Sequence, residues 1–163
     1  MFRGLDHLAI VVPDTEAALA IWRDRFGFPV LFSEKVNGDT ILLTHLDLGN
    51  TQLQLVQPLV DDHSLWAWLR EHGPGLHHFC LAVDDVGRAF EEIAQLDLPP
   101  GEPRPHQGTQ GQRALFLDRA ATAGVCQALG VHASGQMKAA GTESMVQHTR
   151  GILKCRYRAA NRV

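Results

Sequence analysis

Two stretches of the chain share one pattern of apolar and polar positions at a constant offset of 71 residues. The first begins at Gly4 and reads GLDHLAIVVPDTEAALAIW, and the second begins at Gly75 and reads GLHHFCLAVDDVGRAFEEI. Each opens with a β-rich run that stops at an acidic residue suited to cap a helix, and a helical pattern follows. Such self-similarity predicts two structurally equivalent modules.

Both predicted helices carry one apolar stripe at helical spacing. The stripe of the first helix consists of Ala18, Ile21, Trp22 and Phe26. The stripe of the second consists of Val86, Ala89, Phe90, Ile93 and Ala94. Gly27 stands where a left-handed C-terminal cap of the first helix is expected.

Short β-like runs follow each helix. In the first half they cover 30–36, 40–48 and 51–57, with turn signals at 37–39 and 49–50. In the second half, weaker runs cover 98–104, 113–117 and 125–129. Between the halves, Ser64 is placed to cap a short helix that ends at Gly73-Pro74.

These elements predict an α+β fold of two tandem β-α-β-β-β modules whose curled sheets enclose a cleft. The first module is assigned to residues 1–62, a linker helix to 63–74 and the second module to 75–130. Residues 131–163 form a basic tail without clear periodicity, for which extension, disorder or loose docking stay open.

The composition is ordinary for a globular chain, and the balance of charged residues changes from acidic to basic near the tail. Residues 1–129 carry 9 basic and 17 acidic side chains, whereas residues 130–163 carry 6 and 1. The net charge of -3 suggests no nucleic-acid or membrane partner, and no stretch has the roughly 18 apolar residues of a membrane span. A cytoplasmic location is therefore expected. Three cysteines, Cys80, Cys126 and Cys155, are expected to be buried apolar filler.

Two histidines occupy equivalent places in the repeated strands. Because strand side chains alternate, His7 and His78 should face equivalent surfaces and can converge in one cleft as ligands of a divalent metal. In the last strand of the first module, Gln52 and Gln54 share one face. Either they serve the cleft or they are solvent-facing residues of a one-sided sheet, and the pattern does not choose between these readings.

The blocks LDHLAIVVPD, LGNTQLQLVQPL, SLWAWLREHGPGLHHFCLAVDD and GQRALFL resemble successive blocks of methylmalonyl-CoA epimerases, members of the vicinal oxygen chelate (glyoxalase/bleomycin resistance/dioxygenase) superfamily. The likeness covers Gly4 to Leu117. It implies a glyoxalase-like fold and a divalent ion (Co, Mn, Ni or Zn) held by His7, Gln54 and His78. It also implies epimerisation at C2 of methylmalonyl-CoA or a similar acyl-CoA, and a homodimer.

The chain departs from the family pattern at its carboxylates. The position of the fourth ligand, a Glu in the last strand, falls on Ala128, and the adjacent Gln127 is a substitute only if a bulge turns it inward. A family Glu in the second strand of the first module falls near Leu43. His45, two residues further on, is a candidate catalytic base, although an ordinary exposed strand histidine is the favoured interpretation.

Several alternatives therefore stay open. A glyoxalase or lyase-type enzyme on another small substrate would use similar ligands, and a ring-cleaving iron dioxygenase would need a carboxylate that is missing. A metal-free, drug-sequestering binding module would tolerate Ala128. Finally, the loss of similarity after Leu117 together with the change in charge fits a shifted reading frame as well as ordinary divergence.

Overall fold

The computed structural model describes residues 2–131 and arranges them as a mixed α+β protein around one curled sheet. Its helices and strands are β1 (Phe2–Val11), α1 (Thr15–Trp22), β2 (Val30–Val36), β3 (Ile41–Asp47), β4 (Gln52–Pro58), α2 (Ser64–His72), β5 (Gly75–Val83), α3 (Val86–Ile93), β6 (His106–Gln107), β7 (Arg113–Phe116) and β8 (Gln127–Val131). The predicted fold class is confirmed. The tail, apart from Val131, and Cys155 lie outside the described residues, so the predictions made for them stay predictions.

The eight strands are ordered β2-β3-β4-β1-β5-β8-β7-β6. The first strands of the two halves, β1 and β5, are antiparallel neighbours at the centre. Each has the last strand of its own half as a parallel neighbour, β4 beside β1 and β8 beside β5. The halves are thus related by an approximate twofold axis between β1 and β5, and equivalent residues of these strands lie close together.

The acidic residues that follow β1 and β5 cap the next helices as predicted. The Asp14 carboxylate accepts the Ala17 amide at 2.7 Å, and the Asp85 carboxylate accepts the Arg88 amide at 2.7 Å. Each contact satisfies one of the free N–H groups in a first helical turn. In α2, however, His63 rather than Ser64 is the cap, since its Nδ1 accepts the Leu65 amide.

The apolar stripe of α1 was predicted only in part. Ala18 is buried, but Ile21 is 44% exposed and Phe26 is 62% exposed, while Leu19 is buried instead. For Phe26 the reason is the length of the helix: α1 ends at Trp22, so helical spacing no longer applies at Phe26. Gly27 has the expected positive φ of 79°.

In α3 the predicted stripe is largely confirmed. Val86, Ala89 and Ile93 are buried and Phe90 is half-buried. Ala94 is exposed because the α-helix ends at Ile93.

The predicted strand at 98–104 is wrong. This segment forms turns with a single bridge between Pro100 and Leu117, and the strand that follows, β6, is two residues long. Prolines at 99, 100, 103 and 105 lack the N–H groups that a strand ladder requires. The strand predicted at 113–117 is confirmed to within one residue, and β8 begins two residues later than predicted.

Apolar side chains fill both faces of the sheet near the centre. On the outer face, Leu53 and Leu55 of β4 pack with Leu19 of α1. On the inner face, Ala9 and Val11 of β1 join a cluster to which the linker helix α2 contributes partly buried apolar side chains. The inner face next to this cluster is where the polar residues of β1, β4 and β5 gather.

The two ends of the sheet are joined by a hydrogen bond. Glu34 on β2 accepts the backbone N–H of Gln110 at 2.7 Å, and Gln110 belongs to a 3₁₀ turn between β6 and β7. Since β2 and β6 are the outermost strands, this contact spans the opening of the curled sheet. Within residues 2–131, no helix combines the length and the hydropathy needed to cross a bilayer.

Candidate metal centre

A β-bulge in β1 turns two consecutive residues toward the inside of the curl. Leu5 pairs with Leu81 and His7 pairs with Cys80, so Asp6 is the extra residue. A bulge breaks the alternation of a strand, and both Asp6 and His7 consequently line one cavity. Within this pair, His7 Nδ1 lies 2.6 Å from Asp6 Oδ2.

A second bulge occupies the equivalent place in β5. Ala9 pairs with His78 and Ile10 pairs with Leu76, which leaves His77 as the extra residue. His77 Nδ1 lies 2.9 Å from His78 Nδ1. In both halves, therefore, the bulged residue engages Nδ1 of the following histidine and leaves Nε2 of that histidine for another partner.

The two predicted ligand histidines come together. The ring centroids of His7 and His78 are 5.7 Å apart, and those of His7 and His45 are 5.9 Å apart. All three rings line the same cavity, and the His7 side chain is only 12% exposed. The pairing of the equivalent strands β1 and β5 therefore produces the convergence that the repeat predicted.

Gln54 is buried and held in one orientation. Its amide nitrogen donates to His45 Nε2 at 3.0 Å, while His45 Nδ1 donates to Gln52 Oε1 at 2.7 Å. These contacts occupy both nitrogens of His45 and the amide nitrogen of Gln54. The oxygen Oε1 of Gln54 is thus free to act as a ligand, and of the two readings of the glutamine pair the inward-facing one is correct for Gln54, which is 6% exposed.

His45 is not the exposed strand histidine that was favoured from the sequence. It is 3% exposed, because this face of β3 borders the cavity and the Phe32 ring stacks on the imidazole at a centroid distance of 4.4 Å. Burial lowers the pKa of His45 to about 4, although the hydrogen bond to Gln52 opposes the shift. His45 is therefore neutral at physiological pH.

His78 is neutral as well. Burial lowers its pKa to about 3, and the neighbouring His7, His77 and His106 add to the shift. A neutral imidazole keeps the lone pair that metal coordination requires, so no proton has to be displaced from His78 before it binds an ion.

Cys80 lies beside these histidines. Its Sγ, one oxygen of Asp6 and one ring nitrogen of His7 all lie within 4.8 Å of one another, a grouping able to hold a metal ion. Cys80 pairs with His7 on one side and with Ala128 on the other. The thiol is 1% exposed and burial raises its pKa.

The cavity has a volume of about 100 Å³. Leu43 and Ala128, the positions where the resembled family has carboxylates, both line it and are apolar. From β8 the described lining residues are Ala128, Gly130 and Val131, so Gln127 does not point inward. Strand alternation accounts for this, because β8 pairs with β5 in unbroken register.

A histidine that the sequence did not single out completes the lining. His106 of β6 reaches the cavity, and its Nδ1 lies 2.9 Å and 3.0 Å from the two carboxylate oxygens of Glu102. Glu102 also accepts the Phe116 amide at 2.6 Å. The Phe116 ring lies between His106 and His78, with centroid distances of 5.6 Å and 5.0 Å.

Three residues of the site were therefore missed from the sequence: Asp6, Cys80 and His106. Cys80 stands two residues after His78, and strand alternation alone would have placed it on the same face. Asp6 has the wrong parity without its bulge, and His106 follows a proline-rich segment that carries no periodic signal. Nothing in the local pattern pointed to these two.

Comparisons with known proteins identify the family. Residues 6–116 match the Glyoxalase/Bleomycin resistance protein/Dioxygenase superfamily. The ethylmalonyl-CoA/methylmalonyl-CoA epimerase of Cereibacter sphaeroides is 31% identical over 121 residues, which cover 72% of this chain and 89% of the relative. The mitochondrial methylmalonyl-CoA epimerase of Mus musculus is 28% identical over 69% of this chain, and the chain spans only 64% of that protein's length.

A solved structure of a relative has a similar fold. A variant of Streptomyces coelicolor methylmalonyl-CoA epimerase, in complex with 2-nitronate-propionyl-CoA, superposes with a TM-score of 0.73 at 26% identity, covering 82% of this chain and 100% of that one. The match in sequence over most of the chain, the shared curled sheet and the two converging histidines lead to one conclusion: the chain belongs to the glyoxalase/bleomycin resistance/dioxygenase superfamily, and methylmalonyl-CoA epimerases are among its relatives.

Proposed function

We propose that the protein is a metal-dependent epimerase that inverts C2 of methylmalonyl-CoA or a similar acyl-CoA. The observation that carries this proposal is the convergence of His7, Gln54 and His78 on one buried cavity, each with a donor atom left free by its neighbours. The epimerase relatives supply the substrate class, since they act on methylmalonyl-CoA or ethylmalonyl-CoA by name.

The donor set fits a divalent transition metal. Two imidazole nitrogens and one amide oxygen suit Co, Mn, Ni or Zn, and a bound ion would supply Lewis acidity toward the carbonyl oxygens of the substrate. Asp6 and His77 hold the rings of His7 and His78 by their Nδ1 atoms. Such outer contacts fix the tautomer in which Nε2 carries the lone pair.

Cys80 is our candidate for the fourth ligand. Ala128 offers no donor atom, and Cys80 is its direct neighbour in the sheet. Metal binding deprotonates a coordinating thiol outright, which overcomes the pKa raised by burial. A thiolate would favour Zn or Co over Mn, since softer ligands select softer ions.

His45 is better suited to a positioning role than to catalysis. Both of its nitrogens are engaged, one by Gln52 and one by Gln54, so it has no lone pair directed at a substrate. We propose that its task is to hold Gln54 with the amide oxygen toward the cavity.

The cavity size limits which part of the substrate enters. Pockets that enclose a drug-sized ligand measure about 300–1,000 Å³, whereas this cavity measures about 100 Å³. The ion and the compact malonyl end fit such a space, whereas the much larger CoA portion must lie outside it.

Deuterium incorporation tests the function directly. The purified protein, stripped of metal and reloaded with each of the four ions in turn, is incubated with methylmalonyl-CoA in D2O, and incorporation at C2 is followed by mass spectrometry. We expect metal-dependent exchange, its loss in His78→Gln and its retention in the control His72→Gln on the exposed side of α2. No exchange with any of the ions would refute the proposal.

A metal-free binding module is the second candidate, because Leu43 and Ala128 make the cavity more apolar than the family pattern implies. Elemental analysis separates the two: this candidate requires that no first-row metal is retained after reconstitution. A glyoxalase or lyase-type activity is distinguished by the substrate, with a glutathione hemithioacetal assayed beside methylmalonyl-CoA.

The cytoplasmic location and the homodimer stay predictions. In the described part of the chain, β2 is one outer strand of the sheet, and its unpaired edge is a surface on which a second copy could pair. Light scattering on the purified full chain measures the assembly, and a monomer mass would contradict the dimer.

A further inference from the structure

The proposed reaction requires a group that takes a proton from C2, and the two carboxylates expected from the family are absent. Leu43 and Ala128 occupy those places and have no ionisable group. A proton acceptor must therefore come from another residue of the cavity wall. The inference that follows rests on the proposed function and names a residue for that step.

Most ionisable side chains that line the cavity already have another proposed role or use their polar atoms in hydrogen bonds. His7 and His78 are the proposed ligands, and Asp6 is bound to His7 Nδ1. His45 uses both nitrogens, and Cys80 is deeply buried beside the proposed ion.

His106 is differently placed. Its Nδ1 lies against the Glu102 carboxylate, which is itself anchored by the Phe116 amide, so the ring carries its proton on Nδ1 and a lone pair on Nε2. A histidine oriented by a carboxylate in this way is an arrangement that serves as a general base in many enzymes, because the carboxylate stabilises the imidazolium that forms.

The position of the dyad suits proton transfer to and from solvent. The His106 side chain is 33% exposed and that of Glu102 is 25% exposed. On its inner side, His106 stacks on Phe116, and the same ring meets His78 edge-on. The Phe116 ring thus separates His106 from the proposed ligand His78, and His106 itself is partly exposed to solvent.

We propose that His106, oriented by Glu102, is the catalytic base of this protein. Nε2 takes the C2 proton and becomes part of an imidazolium, while the electron pair of the broken C–H bond stays on the substrate as its enolate. A water molecule on the opposite face then protonates C2, and the imidazolium neutralises the resulting hydroxide. The C–H bond is re-formed with inverted configuration, and no oxidant or other reactant is needed.

The test compares three variants in the cobalt-loaded full chain. His106→Gln removes the base, Glu102→Gln keeps an acceptor oxygen without its charge, and His72→Gln controls for the loss of an exposed histidine. General bases contribute about 100-fold or more to a rate, so we expect His106→Gln to lower kcat for C2 exchange by at least about that factor. Its KM and cobalt content should be unchanged.

Glu102→Gln should lower kcat by about tenfold or more with KM unchanged, a split that a merely structural role would not produce. Circular dichroism and bound cobalt verify that each variant is folded. If His106→Gln exchanges deuterium within about threefold of the wild type, His106 is not the base. If Glu102→Gln alone is unaffected, the dyad is disproved. If the wild type itself shows no exchange, the proposed function fails and this inference fails with it.

Discussion

The substitution Ala128→Glu tests whether this position of β8 faces the proposed metal site. Ala128 is 3% exposed and lines the cavity beside Cys80. The atoms that Ala128→Glu adds are about as large as two water molecules of about 30 Å³ each, so the side chain fits the cavity of about 100 Å³. The substitution should therefore change charge without overpacking.

Without metal, the introduced carboxylate is a buried charge. An uncompensated charge of this kind costs about 3 kcal/mol or more. For a chain of this length, about 2–4 °C of unfolding midpoint corresponds to 1 kcal/mol, and the apo variant should therefore unfold about 6–12 °C below the wild type. Cobalt at 100 times its dissociation constant stabilises a protein that binds it by about 2.7 kcal/mol, and a new carboxylate ligand should make this gain larger in the variant than in the wild type.

Differential scanning calorimetry with and without cobalt measures both effects. Ala20→Glu on the exposed face of α1 is the matched control, and its midpoint should move by no more than about 1–2 °C. An Ala128→Glu protein whose midpoint falls equally in the presence and absence of cobalt would refute the reasoning, because the new carboxylate would then not face the ion.

Three further outcomes are expected. Because burial lowers the pKa of His45 from 6.5 to about 4, the unfolded chain binds a proton in this pH window that the folded apo protein does not. The contribution of His45 to the free energy of unfolding should thus fall by about 1.4 kcal/mol per pH unit as pH falls through the window, beside a similar contribution from His78. Urea titrations should therefore show a slope shallower by about that amount for His45→Gln, and equal slopes would contradict this. Cobalt-loaded protein should show a sulfur-to-cobalt absorption band that Cys80→Ser abolishes and Cys126→Ser retains, whereas a band that survives in both excludes Cys80 as a ligand. A Cβ at Gly101 would lie 2.9 Å from the Leu117 carbonyl oxygen, so Gly101→Ala should cost about 1–3 kcal/mol in urea unfolding, and an unchanged midpoint would show that the loop yields.

The central part of the fold could be predicted because several local signals agree there. Asp14 and Asp85 follow the first strand of each half and cap the next helix, and repetition reinforced each interpretation. The convergence of His7 and His78 followed from the same repeat. Residues that follow strand alternation within a repeated element could therefore be predicted from the sequence.

The rest depended on features that have no periodic signature. A bulge turns Asp6 inward against the parity of its strand, and only the strand pairing reveals it. His45 was assigned to the surface because the sequence does not show that this face of β3 borders a cavity. The Glu102–His106 dyad lies in a segment whose prolines prevent regular structure, so only the three-dimensional path brings it to the cavity.

The paired bulges also give the two nearly symmetric halves chemically different histidine environments. The same irregularity in both halves presents a histidine, but its neighbour is a carboxylate at Asp6 and an imidazole at His77. A carboxylate at Nδ1 makes His7 a more basic donor than His78, whose Nδ1 contacts an imidazole. The two rings would therefore bind an ion with unequal strength. An ion bound between these rings would therefore have two chemically different imidazole ligands, and the difference arises from a single pair of duplicate positions, Asp6 and His77.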